Sequence, residues 1–439
     1  MRIFIGLHEI AGHYKQLKKG FDGIGVQSDF IDLSNHPFRY NYLDKKNIFS
    51  KGIIFFSDKE KSSRHSHVFT KFFWTGCWVI LRFFLFIWAV IKYDVFIFGF
   101  GSSFFYYYDL PILKLLNKKI IYRFHGADCR PPYLSGSLVA TAEAFSVDEC
   151  ITYTRKKKKL LKKIEKYADL VISNPLLSHF LERPFINATH IGIPIDTDGR
   201  STAKKKQVRK AIEKNNKIYI LHAPSNPIVK GTALIRQEIT RLKKTGYPIE
   251  YVELKGQPNA VVLNELNKCD FIIDQLYSDT PLAGFATEAA SYSKPAVVGG
   301  YAKTEFSTIF SADKIPPSLY IRPERLEKAV VKLIEDNDYR IKLGNKNRDF
   351  VNENWTAKKV ARKYLQLIQN NIPTHWWYDP NKITYVHGSG LAEKRTKEVI
   401  RSVVETGGKK ALQLSDKPHL EKLMVDFAYS SNLTTLHQL

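Results

Sequence analysis

Short β-branched runs alternate with longer amphipathic stretches along most of this chain, and that alternation leaves few architectures open. Strand, helix and strand in repeated order is the pattern of parallel sheets, whose crossovers run through helices. Strand candidates in the first half are Arg2–Leu7, Asp29–Leu33, Val95–Phe98, Lys119–Phe124 and Leu170–Ser173. A polar, basic stretch near residues 198–216 interrupts the pattern. It resumes with Lys217–Leu221, Glu250–Leu254, Phe271–Asp274 and Pro295–Val298, separated by helical segments such as Thr232–Lys244 and Ala260–Lys268. A chain of 439 residues suits two domains. The expected division is 1–197 and 198–372, the second ending on a helix within WTAKKVARKYLQLIQ, with 373–439 as a C-terminal extension of unassigned role.

Hydrophobic residues at 44% and charged residues at 25% are a globular balance, sufficient to bury two cores. Cys77, Cys129, Cys150 and Cys269 are too scattered for a zinc site or a disulfide framework, which fits a reducing compartment. The opening residues read as a first strand rather than a secretory leader, so a cytosolic location is expected.

The charge balance is less ordinary. Sixty-seven basic against 43 acidic residues leave +24, a surface that attracts nucleic acid, anionic lipid or phosphorylated small molecules. The densest run, RKKKKLLKKIEK from Arg155 to Lys166, carries Leu160, Leu161 and Ile164 at helical spacing. It reads as an amphipathic helix with a very basic face. Without interleaved aromatic residues for base stacking, membrane phosphates are the better partner and nucleic acid is not expected.

Phe72–Ile91, FFWTGCWVILRFFLFIWAVI, holds one charge in twenty residues and is long enough to span a bilayer. Spanning would put the strands before and after it on opposite sides of a membrane, splitting one sheet. Lys71, Thr75, Arg82 and Ala89 share a helical stripe. The expected element is therefore a helix with a narrow polar edge packed on a sheet, either plainly buried or, as the favoured reading, dipping into lipid with the rest of its surface, on the same membrane-facing side as Arg155–Lys166.

Two segments carry residues suited to chemistry. ILHAPSNPIVKGT, Ile220–Thr232, leaves a strand and enters a helix at Gly231, where backbone N–H groups and Lys230 can meet a diphosphate. DQLYSDTPLAGFATEAASYSKPAVVGG leaves a strand, passes Gly284 and enters a small-residue helix holding Glu288, a carboxylate able to take two hydrogen bonds from a ribose diol. Taken singly, Lys230 could be a solvated lysine and Glu288 a partner of the helix dipole.

In order and spacing these segments resemble the carboxyl-terminal half of retaining glycosyltransferases such as those of glycosyltransferase family 4, with Lys230-Gly231, Glu288-Ala289 and Lys294-Pro295 in the matching places. The amino-terminal half is similar too. Gly12 in Ile10-Ala11-Gly12 matches a glycine loop lining the cleft; His125, Gly126 and Asp128 in YRFHGADCR match a His-Gly-x-Asp turn; IGIPIDT matches the end of the first domain. The resemblance spans residues 1–370. It implies a GT-B fold, α/β with two Rossmann-like domains facing a cleft. It also implies that Lys230 contacts donor phosphate, Glu288 the ribose, and His125 the transferred sugar. Two positions depart from the pattern. Ser225 stands where an arginine is usual, and Thr280, beside Asp279, stands where a second glutamate is usual.

The expected activity is transfer of a hexose-type sugar from a nucleotide-sugar donor to a saccharide or lipid-linked saccharide acceptor in surface polysaccharide synthesis. It is expected to retain configuration and to need neither metal nor cofactor, the nucleotide-sugar being substrate. The catalytic candidates are His125 and Asp128; the donor-side candidates are Ser225, Lys230, Gly231, Gly284 and Glu288; Gly12 lines the acceptor side. The chain is expected at the inner face of the cell membrane as a peripheral protein. The alternative, motivated by the two departures, is a non-catalytic sugar-nucleotide or glycan-binding protein with a degenerate GT-B site.

Overall fold

The computed structural model describes residues 1–34, 48–62, 68–141, 143, 145–196 and 217–430. The stretch expected to separate the domains, near 198–216, lies outside them.

Two parallel sheets organise the chain. The first runs β12-β6-β5-β4-β3-β1-β2 and the second β11-β10-β9-β7-β8. The first six strands are β1 (Ile3–Leu7), β2 (Ser28–Asp32), β3 (Val95–Gly99), β4 (Lys119–Arg123), β5 (Leu170–Ser173) and β6 (Phe185–Asn187). The second sheet holds β7 (Ile218–His222), β8 (Ile249–Glu253), β9 (Phe271–Gln275), β10 (Ala296–Gly299) and β11 (Leu319–Ile321), and β12 (Trp377–Tyr378) returns to the edge of the first. All nine expected strands are present, each end within one residue. The additional ones, β6, β11 and β12, are only two or three residues long, too short to show a pattern.

β1, β3 and β9 are buried along their whole length, because helices cover both faces of each sheet. The helices used below are α1 (His13–Asp22), α2 (Ile48–Ser62), α3 (Val68–Lys92), α4 (Leu110–Leu115), α5 (Val147–Tyr167), α6 (Thr232–Lys244), α7 (Asn259–Lys268), α8 (Gly284–Ser291), α9 (Ala357–Ile368), α10 (Glu393–Gly407) and α11 (Pro418–Tyr429). On one face of the first sheet Phe4, Phe96, Ile120 and Val171 meet α3, α4, α5, α10 and α11. On the other, Ile3, Ile97 and Ile172 meet α1 and α9.

α9 therefore belongs by packing to the first sheet, although it follows the second sheet in the chain. Its stripe Val360, Ala361, Tyr364 and Leu367 is fully buried there, and Lys119 Nζ donates to the carbonyls of Leu367 and Ile368 at 3.0 and 2.6 Å. The extension after it folds onto the same unit. β12 pairs antiparallel with β6, and Val399, Ile400, Met424 and Phe427 enter the first core. The first unit is thus discontinuous, with the second inserted into it.

In both sheets the strand order reverses one strand in from an edge, since β1 lies between β2 and β3, and β7 between β8 and β9. Crevices at the carboxyl ends of such switch points are where open α/β sheets bind ligands. The loops after β1, β4, β7 and β9 converge there.

α1 meets α9 where Gly20 faces the backbone of Ala357, and a Cβ at Gly20 would run into the Ala357 carbonyl. Gly20→Ala should lower unfolding free energy by about 1–3 kcal/mol in a denaturant titration, because backbone cannot yield as a side chain does. An unchanged midpoint would show that this helix pair is not tightly docked.

Candidate functional site

The loop after β1 turns through Ala11 and Gly12, both with positive φ (49° and 75°), before α1 begins. Glu9, fully buried, places its carboxylate over the start of that helix. It accepts N–H bonds from Ile10 at 2.7 Å, Tyr14 at 3.1 Å and Lys15 at 2.9 Å. Burial pushes its pKa up to about 7, against the lowering effect of those three bonds. The helix N-terminus is thus already occupied by a carboxyl group of the chain itself. Gly12 supplies the turn, while Ile10 and Ala11 line the cleft.

The loop after β4 carries the His-Gly-x-Asp turn. Asp128 accepts from the backbone N–H of His125 at 3.0 Å and of Gly126 at 2.7 Å, so its carboxylate holds the turn rather than facing the cleft. His125 does face it, with Nε2 3.0 Å from the Tyr14 hydroxyl and its ring 4.8 Å from that of His13. Burial, and then the Arg123 cation, holds both histidines well below the usual range, so both are neutral at pH 7. Arg123 donates to the Gly192 carbonyl at 3.0 Å and the Tyr364 hydroxyl at 3.3 Å.

In the second unit, Asn226 Oδ1 accepts from Ile228 and Val229, claiming two backbone N–H groups that sequence reasoning had left for phosphate. Gly231 follows at φ 71° and joins that short turn to α6; a Cβ there would crowd Leu276. Lys230 is mostly buried and its Nζ lies 3.4 Å from Asp274 Oδ1. Glu288, on α8, accepts from Asn259 Nδ2 of α7 at 2.9 Å. Ser225, Lys230, Asn259, Gly284 and Glu288 line one cavity.

A second cavity is lined by His13, Arg123, His125, Asp279, Thr280 and Trp355 among others. The two meet at Ala11, Ala283 and Gly284, which line both. Gly284 is small for a reason: a Cβ on it would lie 3.2 Å from that of Ala11 across the cleft. Lys230, Glu288, Gly284 and His125 are therefore brought to one continuous groove. Asp128 and Gly12 shape its edge without lining it.

Sequence reasoning missed the groove's strongest contact. Arg130, from the loop after β4, donates through Nε to Asp279 Oδ2 at 2.7 Å, and its Nη2 donates to the same oxygen. Both side chains are buried, and they belong to opposite units. Their separation of 149 residues leaves no local pattern to read. Glu9 did have a signal, an acid just before a helix, which favours the helix N-terminus. Of the Asp-x-Asp triplets, 336–338 does not line the groove, and Asp336 pairs with Lys332; of 196–198 only Asp196 is among the described residues, and it pairs with Lys19.

No family model and no curated protein matches the chain. Solved structures do. The N-terminal domain of trehalose-6-phosphate phosphatase from Candida albicans aligns over 84% of this chain and 97% of its own, at 10% identity and a TM-score of 0.52. The chain has the GT-B fold. A glycosyltransferase from Rickettsia africae (84% and 97% coverage, 13% identity, TM-score 0.47) and HepE of Anabaena in complex with UDP and glucose (84% and 98%, 10%, 0.47) align less closely.

Asp279→Ala leaves Arg130 charged and unpaired in a buried place, a loss of about 3–5 kcal/mol measurable by denaturant unfolding. A loss under about 1 kcal/mol would mean that water reaches the pair.

The histidines give a pH effect with a definite sign. Their folded values lie below the ordinary 6.5, so under that pH the unfolded chain takes up protons that the folded chain does not. Their contribution is complete above pH 6.5 and is lost as pH falls. Unfolding midpoints should therefore drop between pH 7.5 and 5.5, and His125→Asn should flatten that slope.

Proposed function

We propose that this chain is a glycosyltransferase that binds a nucleotide-sugar on the second unit and passes its sugar to a saccharide or lipid-linked saccharide held by the first. The observation that carries the reading is the continuous groove: Lys230 and Glu288 stand on one side of the Ala11–Gly284 contact and His125 on the other. Donor and acceptor can then meet where the two units touch.

In the net reaction the anomeric carbon loses its bond to the diphosphate and gains one to an acceptor hydroxyl oxygen, releasing nucleoside diphosphate and the hydroxyl proton. Charge builds on the departing diphosphate. Lys230, lying by Asp274 and lining the cavity, is placed to neutralise it as it leaves. Glu288, steadied by Asn259, is placed for a ribose diol. Neutral His125, tied to Tyr14, can accept or donate one hydrogen bond to a sugar hydroxyl without bringing charge. Asp128 acts through His125 by fixing its turn. Charge neutralisation without metal, retention of configuration, and a role in surface polysaccharide synthesis belong to this proposal.

One observation favours the non-catalytic alternative. Asp279, next to the missing glutamate, is committed to Arg130 and offers the sugar no free carboxylate. Serine at 225 likewise supplies no charge for the diphosphate.

Mass spectrometry of the protein with a panel of nucleotide-sugars and saccharide acceptors separates the two readings; nucleotide binding with no transfer from any donor would support the alternative. Three variants then locate the site. Glu288→Ala removes a charged hydrogen bond, about 1.5–3 kcal/mol, and should weaken nucleotide affinity roughly ten- to a hundred-and-fifty-fold by calorimetry. Lys230→Ala should lower turnover by about a hundredfold or more. His125→Ala should cut turnover while nucleotide affinity stays near that of the parent. If Glu288→Ala binds nucleotide like the parent, the donor site has been misplaced.

A further inference from the structure

α3 is oriented opposite to an ordinary surface helix. The later half of its polar stripe faces the protein: Arg82 Nη2 donates to the Ser103 carbonyl at 2.8 Å and Ala89 is fully buried, while Lys71 at the start of the helix is exposed. Its apolar face looks out. Phe69, Phe72, Ile80, Phe84, Ile87 and Ile91 are 38–87% exposed and share one side of a helix whose span from 69 to 91 is about 33 Å. Among the described residues, α3 docks on the first sheet by its end nearest β3, through Leu85, Phe86 and Ala89. α2 packs along α3, with Phe56 stacked on Trp74 at 5.7 Å, and adds Phe55, 54% exposed. So large an exposed apolar face marks an interaction surface.

The neighbouring elements show what covers it. Phe86 meets Phe104 at 5.2 Å, which places the loop before α4 beside α3. On that loop Tyr108 is 74% exposed and carries Lys163 Nζ 3.6 Å over its ring; on α4, Leu115 is 81% exposed. Lys156, Lys159, Lys163 and Lys166 recur at helical spacing on α5, forming a basic border to the apolar face. The basic run is less uniform than its sequence suggests. Lys157 turns inward to the Ala127 carbonyl and Lys158 to Glu182 and Asp416. What remains outside is an apolar floor with tyrosines and lysines at its margin, the order in which a lipid leaflet presents acyl chain, interface and phosphate.

We infer that this face of the first unit rests on a bilayer containing anionic lipid, with α2 and α3 immersed along one leaflet and the α5 lysines over the headgroups. The sheet fixes the topology. β2 and β3, which flank the hairpin in sequence, both pair with β1, so the chain enters and leaves on one side. A second copy of the chain is the rival occupant, but its own α5 stripe would meet like charge.

The test is flotation of the full chain with vesicles of phosphatidylcholine alone or mixed equally with phosphatidylglycerol. Mixed vesicles should float it at least tenfold better, and the gain should shrink as salt rises from about 0.1 to 1 M. The triple variant Phe72→Glu, Ile80→Glu, Phe84→Glu should lose flotation with both, while its circular dichroism and melting temperature stay those of the parent. Lys156→Glu with Lys159→Glu should lose only the preference for anionic lipid. Alkaline carbonate should strip the wild-type protein; resistance to it would overturn the one-leaflet arrangement. A lipid-free dimer that the triple variant dissociates, together with no flotation, would hand the face to a second copy. Turnover with a water-soluble acceptor is independent of these results, so this inference and the transferase reading can fail separately.

Discussion

A buried ion pair sets the distance between the two halves of this protein. Arg130 and Asp279 sit on loops at the carboxyl ends of different sheets, and neither charge tolerates burial without the other. Where one goes, the other must follow. The consequence is local: with those loops held together, Gly284 comes within reach of Ala11, and two cavities become one groove. A segment of the extension strengthens the same junction. The Ser389 and Gly390 N–H groups donate to Leu134 of one unit and Tyr277 of the other, at 3.0 and 2.8 Å. The groove's width is therefore determined by contacts outside it.

The two units share a plan but differ at their first loops. In the first, Glu9 occupies the start of α1, satisfying amides that would otherwise attract a phosphate. In the second, the corresponding loop ends in Lys230, whose nearest carboxylate is 3.4 Å away on Asp274. One loop is closed by a carboxyl group of its own, while the other brings a lysine, paired with Asp274, to the cavity wall. That difference, more than the shared architecture, is why the proposal puts the diphosphate on the second unit.

Much of the fold was legible because central strands such as β1, β3 and β9, covered on both faces, run as nearly unbroken apolar stretches, and the edge strands β2 and β8 still carry apolar residues between turn signals. The three short strands had no room for a pattern. The local part of the site was legible too: Lys230, Gly231, Gly284 and Glu288 lie on strand-to-helix turns whose shape follows from neighbouring residues. What the sequence hid depends on distance along the chain or on direction around a helix. Arg130 and Asp279 meet only after folding. Asp128 turned to its own backbone because two N–H groups lay nearer than the cleft. Composition could not say that Arg82 and Ala89 would be the inner edge of α3, nor that Lys157 and Lys158 would leave the basic face for the Ala127 carbonyl and for Glu182 and Asp416.

The insertion of one unit into the other has a consequence for how the protein comes into being. Ribosomes release a chain from its beginning, yet the first sheet lacks α9, β12, α10 and α11 until residues beyond 356 have emerged. Until then the surfaces of Phe4, Ile97 and Ile172 that those helices help to cover have only part of their packing. The second sheet, contiguous from Ile218 to Ile321, has its buried covering residues by then, the last of them being Phe350, Val351 and Trp355. Birth order and maturation order are thus reversed: the half synthesised first is completed last, and its unfinished apolar flank is what a nascent-chain chaperone would meet.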